Sequence, residues 1–399
     1  MSVDALRHEP PVRFPLVDRL ALRALGRVLP GLEGGTLRVR LPDGAEACFG
    51  SGPDVGMRID EGRFFRRLAT RPRLGLGESY QAGEWRADDL PAVLELLARN
   101  ATRAAARHPH LRGLVAGRPR VNRRTGLLAA RRNVRYHYDL GNDLFALFLD
   151  ETMTYSCAVF EDRDEPLAEA QRRKLRMVCE KLELGPEDHV LEIGCGWGSF
   201  ALTAAREHGA RVTGITLSPA QAEVARRRVA EAGLADLVEI RVQDFREVEG
   251  VYTKVASIEM LEAIGEKLFA SFFATLDRVL VPGGRACIQT ILIPDSRWKR
   301  YRSSGDWIER YVFPGCLIPS LGAVAHATDR LRVDELEEIG QHYGETLARW
   351  RQAFLARADD VRGLGYDERF VRTWDFYLAS CEALFRAGLL RDAQLVLTR

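Results

Sequence analysis

A glycine-rich loop is the part of the sequence whose residue types and spacing indicate chemistry most directly. In VLEIGCGWGSF, Glu192 and three glycines, Gly194, Gly196 and Gly198, follow a short apolar run and precede a helical pattern. Glycines let the backbone approach a ligand closely, and the first turn of a helix offers unpaired N–H groups. The loop therefore predicts a binding site for a small ligand.

The residues downstream of the loop distinguish it from the dinucleotide-binding fingerprint. That fingerprint is GxGxxG with an acidic residue about 20 positions later, whereas this loop reads ExGxGxG and the next strand ends in GITLSPAQ without a carboxylate. Thr216, Ser218 and Gln221 then become the candidate polar contacts. Asp244 and Phe245 follow the third strand, in VQDFRE. The pattern resembles class I S-adenosylmethionine-dependent methyltransferases, in which that place contacts the adenine; a nucleotide site or a structural glycine turn is the alternative.

Alternating strand and helix patterns from about residue 165 onward predict how these residues are positioned. Short apolar runs rich in β-branched residues are typical of buried parallel strands. They are HVLEIG, RVTGIT, LVEIRV, KVASIE and RACIQTIL, with AQLVLTR as a further candidate. FALTAAREH and PAQAEVARRRVAEAG are helical patterns between them. The predicted fold class is α/β, a doubly wound, Rossmann-like sheet with ligands at the carboxyl ends of its strands.

Domain boundaries are predicted from shifts in pattern and charge. We expect a smaller N-terminal domain over residues 1-100, a connector over 101-135 and a catalytic domain over 136-399. In the first domain, GTLRVRLPDGAEACFG predicts two strands around a turn, and DLPAVLELLARN predicts a helix with Asp88 or Asp89 as N-cap.

The connector is strongly basic. Residues 96–138 contain no acidic side chain and many arginines. Such a segment is either a solvated linker or a surface for an anionic partner, which is phospholipid head groups or nucleic acid.

Bulk composition narrows the class of protein. The 399 residues carry a net charge of +2, 46% are hydrophobic, and no apolar run approaches the roughly 18 residues needed to span a bilayer. The N-terminus lacks a signal-peptide core. Seven scattered cysteines without a CxxC pair suggest neither a disulfide framework nor a zinc site. We therefore expect a soluble cytoplasmic protein without a metal. Because the chain lacks an NPPY-like tetrapeptide and a Pro-Cys nucleophile, a nucleic acid methyltransferase is a poor fit.

A longer series of motifs resembles the cyclopropane-fatty-acyl-phospholipid synthase family, which includes the mycolic acid methyltransferases. The motifs are YHYDLGNDLFALFLDETMTYSCAVFED, GCGWGSF, GITLSPAQ, SIEMLEAIG, CIQTI, RYVFPGCLIPS and GQHYGETLARWRQAF, in that order. They cover nearly all of residues 136–399. GLGESYQAGEW, at 75–85, resembles the N-terminal domain of the full-length bacterial synthases. That domain is linked to dimerisation in the family, so the resemblance leaves both a monomer and a homodimer as alternatives.

This resemblance implies a reaction. The family transfers a methyl group from S-adenosylmethionine to a cis double bond of an acyl chain, and the resulting carbocation loses a proton and closes to a ring. An alkene is a weak nucleophile, so the reaction needs an oriented donor, walls that tolerate a cation and a base. Aromatic faces suit the second need. Candidates for them are Tyr136, Tyr138, Phe145, Tyr155, Trp307, Tyr311 and Phe313.

The resemblance also implies site residues. A bound bicarbonate would be the base, held by the backbone N–H of Cys157, by Glu262, by Tyr343 and by the Ile291 backbone, with Gln289 where many relatives have a histidine. Tyr155 and Ser156 would contact S-adenosylmethionine, together with Gly194, Thr216, Gln221 and Phe245. Independently of the family, the Glu262 carboxylate follows a buried strand in an apolar segment, and it should have a partner because an unpaired buried charge is costly.

Two departures from the family leave the product open. Gln289 and Ala263 stand where relatives have histidines, and glutamine cannot hold a proton near neutral pH. Anion binding can survive this change while proton relay does not. The expected product is a cyclopropane chain, and a methylene or methyl-branched chain is the alternative. A catalytically weakened lipid-binding protein is the alternative from another class.

The predicted partners follow from the acyl substrate. Residues 297–315 mix cations with aromatics, as expected of a lid over an acyl tunnel or of an ordinary surface loop. We expect a phospholipid with unsaturated acyl chains as substrate and no nucleic acid. The basic connector then indicates an anionic membrane surface, with the protein peripheral on the inner face of the membrane.

Overall fold

The computed structural model describes residues 31–71, 73–107 and 140–399. Most of the arginine-rich connector, together with Tyr136 and Tyr138, lies outside them. The chain forms two compact units. The first comprises the described residues up to 107 with Ser303–Tyr311 and Phe354–Leu389, and the second comprises 140–302, Val312–Ala353 and Leu390–Arg399.

The strands are numbered in chain order. They are β1 (Gly35–Arg40), β2 (Glu46–Ser51), β3 (Asp54–Ile59), β4 (Trp85–Ala87), β5 (His189–Ile193), β6 (Arg211–Thr216), β7 (Val238–Val242), β8 (Tyr252–Ile258), β9 (Leu280–Leu292), β10 (Arg332–Glu338) and β11 (Arg391–Thr398).

The α-helices are numbered in the same way. They are α1 (Arg63–Thr70), α2 (Gly75–Gln81), α3 (Leu90–Arg107), α4 (Asn142–Ala146), α5 (Leu167–Lys181), α6 (Ser199–His208), α7 (Pro219–Glu231), α8 (Leu261–Ile264), α9 (Phe269–Val279), α10 (Asp295–Tyr301), α11 (Trp307–Tyr311), α12 (Leu321–Ala327), α13 (Tyr343–Ala356), α14 (Ala358–Gly363) and α15 (Glu368–Arg386). Short 3₁₀ turns cover Phe245–Glu247, Glu266–Leu268 and Gly340–His342.

The second unit is built on a seven-stranded sheet of order β10-β11-β9-β8-β5-β6-β7. The strands from β9 to β7 are parallel, and β11 and β10 add antiparallel pairs at one edge. Two apolar clusters form its core, one centred on α9 and β9 and the other on α5, α6 and α7. The predicted doubly wound α/β sheet is therefore confirmed, and each predicted strand is present within a few residues of its expected bounds.

The sequence prediction missed one strand of this sheet. β10 has the sequence RVDELEE, and all seven of its residues are exposed. An exposed edge strand has no buried face, so the apolar alternation that identifies strands is absent from it.

The first unit contains a small sheet of order β2-β1-β3-β4. The predicted hairpin of β1 and β2 is confirmed, and Asp89 caps α3 by accepting a hydrogen bond from the Ala92 N–H at 3.0 Å. Trp85 is fully buried and its ring lies 5.1 Å from that of Tyr80, which contacts Phe376 of α15. Residues 303–311 and 354–389 thus pack with the N-terminal strands. The domain boundaries at 100 and 136 stay predictions.

Within the described ranges, no helix is long and apolar enough to cross a membrane. All seven cysteines are free thiols.

Candidate active site

The glycine loop runs from the end of β5 into α6 along a path that needs glycine. Gly194 and Gly198 have φ values of +88° and +86°, in the left-handed region that disfavours a side chain. A Cβ on Gly194 would lie 2.9 Å from Cγ of Met260. Gly198 precedes the first turn of α6, and a Cβ there would lie 3.3 Å from Cβ of Ala225 on α7. The lack of a side chain at Gly194 therefore leaves the loop backbone accessible to a ligand, and the lack of one at Gly198 permits close packing of α6 and α7.

A cavity lies at the carboxyl ends of β5, β6 and β8, where a doubly wound sheet binds its ligands. It brings together most of the residues that the sequence predicted for the cofactor. These are Tyr155, Ser156, Glu192, Gly194, Gly196, Thr216, Gln221, Asp244 and Phe245. Of the remaining two, Gly198 has the packing position just described. Ser218 caps α7, because its hydroxyl accepts a hydrogen bond from the Gln221 N–H at 3.2 Å.

Glu192 gives the cavity an unsatisfied acidic group. Its side chain is buried, and its Oε2 has no hydrogen-bond partner among the described residues. Burial raises the pKa of this carboxyl to about 8, against the opposing charge of Lys174. A buried carboxyl oxygen without a partner suits a ligand that brings an ammonium donor, as the methionine part of S-adenosylmethionine does. With the open glycine loop beside it, the cavity fits that cofactor.

Asp244 and Phe245 form another wall of the cavity. The Asp244 carboxylate accepts two hydrogen bonds from the Arg246 guanidinium, at 2.8 and 2.9 Å. The ring of Phe245 packs edge-on against Phe272 of α9, with 5.7 Å between centroids. Phe245 is therefore both a cavity wall and part of the core. Asp244 would share its carboxylate between Arg246 and any bound adenosine.

Glu259 is the acceptor on which three of the predicted base-site groups converge. It follows β8 directly and lines the cavity. Its Oε1 accepts hydrogen bonds from the Cys157 N–H at 2.8 Å and from Nε2 of Gln289 at 2.9 Å. Its Oε2 accepts one from the Tyr343 hydroxyl at 2.5 Å. Glu259 was not predicted from the sequence. Its position is nevertheless a signal, because this carboxylate, like that of Glu262, follows a buried strand.

Glu262 and Ile291, the other two predicted base-site residues, are paired with each other. Oε1 of Glu262 accepts hydrogen bonds from the Ile291 N–H and, at 2.8 Å, from the Thr290 hydroxyl. Burial, and secondly the Glu259 charge, raise the Glu262 pKa to about 8. Its Oε2 has no hydrogen-bond partner within the described part of the chain. In the structure, the hydrogen-bond partners of Glu262 are thus Thr290 and Ile291.

The predicted bicarbonate does not fit this arrangement. The Cys157 N–H, the Gln289 amide and the Tyr343 hydroxyl were expected to hold the ion, and each is already bonded to the Glu259 carboxylate. The Ile291 N–H is bonded to Glu262. A bicarbonate in the same place would compete with a covalently attached carboxylate and meet its charge at close range.

Buried titratable groups surround Glu259, and two of them were not predicted from the sequence. Lys174 of α5 is fully buried and donates to the Ser156 hydroxyl at 2.6 Å. Asp392 of β11 accepts from the same Gln289 amide at 2.9 Å. Burial, followed by the Glu259 and Glu262 charges, raises the Asp392 pKa well above its ordinary value. The local pattern QRRKLR gives no sign that Lys174 is buried, because two arginines precede it.

Aromatic rings pack beside the cavity. Tyr155 lies 5.2 Å from Phe145 and 5.1 Å from Trp350, and Phe145 lies 5.1 Å from Trp197 (ring centroids). Tyr155 and Trp197 line the cavity itself. Trp307 and Tyr311, also predicted as cation-tolerant walls, instead belong to the first unit. The site thus holds an aromatic cluster suited to a positively charged intermediate.

Comparison with known proteins identifies relatives of this chain. Residues 127–395 match the family described as mycolic acid cyclopropane synthetase. The tuberculostearic acid methyltransferase UfaA1 of Mycobacterium tuberculosis is 43% identical over 84% of this chain and 81% of that protein. The cyclopropane-fatty-acyl-phospholipid synthase of Escherichia coli K12 is 35% identical over 88% of this chain and 90% of that protein. The crystal structure of the mycolic acid cyclopropane synthase CmaA1 with SAH and CTAB has a TM-score of 0.63 and 29% identity, over 67% of this chain and 98% of that one.

The sheet and the cavity at its carboxyl ends are those of a class I S-adenosylmethionine-dependent methyltransferase. Within that class, the match over residues 127–395 and the identity to full-length relatives show the family. The chain belongs to the mycolic acid cyclopropane synthetase family of lipid methyltransferases.

Proposed function

We propose that this protein transfers a methyl group from S-adenosylmethionine to the cis double bond of an unsaturated phospholipid acyl chain. One observation carries the proposal: the cofactor loop and a carboxylate held by three donors line the same cavity, beside an aromatic cluster. Methylation of an alkene needs a methyl donor, a surrounding that tolerates a cation, and a base.

Each part of the site has a task in this reaction. The bound cofactor supplies an electrophilic methyl group on a sulfonium. Glu192 binds and orients the amino acid part of the cofactor, and Gly194 lets the backbone approach it. The rings of Tyr155 and Trp197 lie where they would stabilise positive charge on the acyl chain and exclude water that would quench it.

The proposed product is a cyclopropane chain, as in the synthase of E. coli that is 35% identical. A methylene chain, or a methyl-branched chain made from it by a separate reductase, is the second candidate. The specific observation in its favour is the 43% identity to a relative that is named a methyltransferase rather than a cyclopropane synthase. Both products begin with the same methyl transfer.

The proposed substrate and location rest on the sequence and on the name of the E. coli relative. The arginine-rich connector would attract anionic lipid, at about 1 kcal/mol per basic residue near the surface. The protein would then act as a peripheral protein on the cytoplasmic face of the membrane. A homodimer is proposed only from the resemblance of the N-terminal domain.

Expression in a bacterial host without such enzymes tests the proposal. We expect host unsaturated fatty acids to gain one CH₂ unit in total fatty acid mass spectrometry. Catalytic hydrogenation then separates the products, because a cyclopropane survives mild conditions that reduce a methylene group. A host expressing the Gly194→Ala variant is the control, since it should bind the cofactor poorly. No gain of CH₂ from a well-expressed protein would contradict the proposal. If S-adenosylhomocysteine also fails to bind in calorimetry, a lipid-binding protein without catalysis becomes the better explanation.

A further inference from the structure

The Glu259 carboxylate occupies the place that a bound anion would otherwise fill. Three groups donate to it from three separate elements: the Cys157 N–H from the segment before α5, Gln289 from β9 and Tyr343 from the start of α13. Convergent donors of this kind form an anion site. The anion here is a side chain, and part of its surface remains accessible from the cavity.

Two further features fit a built-in anion. Glu259 has a φ of +50°, a left-handed conformation that a residue with a Cβ rarely adopts, so the fold holds this glutamate in a backbone geometry that favours glycine. Gln289 bonds Glu259 and Asp392 through one amide nitrogen, at 2.9 Å each. A neutral histidine ring has one N–H and cannot donate to two carboxylates from one nitrogen, whereas the glutamine NH₂ can.

The pKa of Glu259 is raised above its ordinary value, which suits a carboxylate that accepts a proton near neutral pH. Burial raises its pKa, and the Tyr343 hydroxyl, the Cys157 N–H and the Lys174 ammonium act in the opposite direction. Asp392 has a pKa raised well above its ordinary value and is favoured in its neutral form. The two carboxyls lie near Lys174, whose own pKa is lowered by burial and raised by the Glu259 and Asp392 charges.

We infer that Glu259 is the catalytic base of this enzyme and that the protein needs no bicarbonate. The inference rests on the proposed function. In the reaction, the π electrons of the acyl double bond form the bond to the methyl carbon, the S–CH₃ electron pair stays on sulfur, and the adjacent chain carbon becomes cationic. Glu259 then takes a proton from the transferred carbon. The freed C–H electron pair closes the ring, or forms a methylene double bond after a hydride shift along the chain.

The test measures methyl transfer to vesicles of unsaturated phospholipid by the full chain, in carbon dioxide-depleted buffer and with added bicarbonate. The wild type should be equally active in both. Glu259→Gln keeps the size of the side chain but removes the base, so its rate should fall about 100-fold or more in both buffers. Glu259→Gly removes the side chain, suits the left-handed φ and frees the three donors. Its rate should fall similarly and recover at least about tenfold with bicarbonate.

Glu183→Gly is the matched control. Glu183 also has a left-handed φ, of +53°, but is exposed and paired with Arg285. Its replacement should not change the rate in either buffer. Binding of S-adenosylhomocysteine by calorimetry shows that each variant is folded, and if Glu259→Gln does not fold, rescue of Glu259→Gly alone decides the matter.

The inference is overturned if the wild type loses activity on bicarbonate depletion and regains it on addition, or if folded Glu259→Gln keeps the wild-type rate. It is also overturned if folded Glu259→Gly is not rescued. A wild type that methylates no lipid in either buffer is a different result, because it contradicts the proposed function itself.

Discussion

At the scale of single residues, Glu259 and Glu262 lie in one short segment, SIEMLEAIG, and burial raises the pKa of both carboxyls, but their hydrogen-bond partners differ. Glu259 accepts from a hydroxyl, an amide and a backbone N–H, and the hydroxyl, the backbone N–H and Lys174 oppose the effect of burial on its pKa. Glu262 is buried beside that negative charge, and its pKa of about 8 keeps it mainly neutral at pH 7. Glu259 can therefore act as a base, while Glu262 forms hydrogen bonds with residues at the end of β9.

Tyr343→Phe should shift the pH dependence of activity. The Tyr343 hydroxyl donates to Glu259 and lowers its pKa, while Cys157, Lys174, Gln289 and Asp392 face the same carboxylate and remain in the variant. Removing the hydroxyl should raise the Glu259 pKa. Glu259 is then protonated, and inactive as a base, up to a higher pH.

We expect the acid limb of the kcat/KM profile to move to higher pH in Tyr343→Phe, with a rate about tenfold lower near neutral pH. Profiles of both proteins over the same pH range check this. An acid limb that stays in place would show that the hydroxyl does not tune the titrating group.

The Cys157 thiol has no chemical role in this account. The side chain is fully buried, and burial raises its pKa well above the ordinary value, so the reactive thiolate is disfavoured. The backbone N–H of Cys157 makes the contact with Glu259. The family resemblance implied that this N–H binds a bicarbonate, whereas the acceptor in the structure is Glu259, because a strand, a helix and a loop meet there.

At the scale of elements, the loop between β5 and α6 fixes the shape of the cofactor site. Gly194→Ala places a Cβ 2.9 Å from Cγ of Met260 at a φ of +88°. We expect affinity for S-adenosylhomocysteine to fall at least about tenfold, which corresponds to about 1.4 kcal/mol. Calorimetric titration measures this loss.

Gly233→Ala is the control for Gly194→Ala. Gly233 has a φ of +68° and open space around its Cβ position. It should show the backbone strain alone, about 1–2 kcal/mol of stability, with cofactor affinity unchanged. Equal affinity losses in the two variants would mean that the contact with Met260 is not responsible.

The sequence predicted those elements that carry a periodic apolar pattern. The five parallel strands and the helices between them were found because both faces of a doubly wound sheet are buried. The edge strand β10 was not, because it has no buried face. The sequence also did not predict that residues 303–311 and 354–389 belong to the first unit. Their placement depends on contacts between residues far apart in the sequence, such as Trp307 and Phe376, whose ring centroids lie 4.8 Å apart. Such contacts leave no local pattern.

At the scale of the whole molecule, buried carboxyls link stability to pH. The Glu192 and Glu262 pKa values are raised to about 8 in the folded protein, chiefly by burial, from an ordinary value of 4.5. Between these values the folded state binds protons that the unfolded state has released. Their stabilising contribution is complete below pH 4.5 and is lost as pH rises through about 8.

Glu262→Gln should remove the contribution that Glu262 makes to this pH dependence of stability. Glutamine is neutral at every pH and keeps an oxygen to accept from Ile291 and Thr290. Relative to the wild type, the variant should gain stability as pH rises, by at most about 1.4 kcal/mol per pH unit. Unfolding midpoints of both proteins between pH 5 and 8 give the difference. A difference that does not change with pH would argue against a protonated Glu262.

The central claim is that this protein methylates a lipid double bond with a base that belongs to the chain itself. The most direct test incubates the purified protein with unsaturated phospholipid vesicles and CD₃-labelled S-adenosylmethionine in carbon dioxide-depleted buffer, followed by mass spectrometry of the acyl chains. We predict acyl chains that carry a CD₂ unit, because one deuterium leaves with the base. Labelled chains that form only when bicarbonate is added would contradict the built-in base, and unlabelled chains under both conditions would contradict lipid methylation.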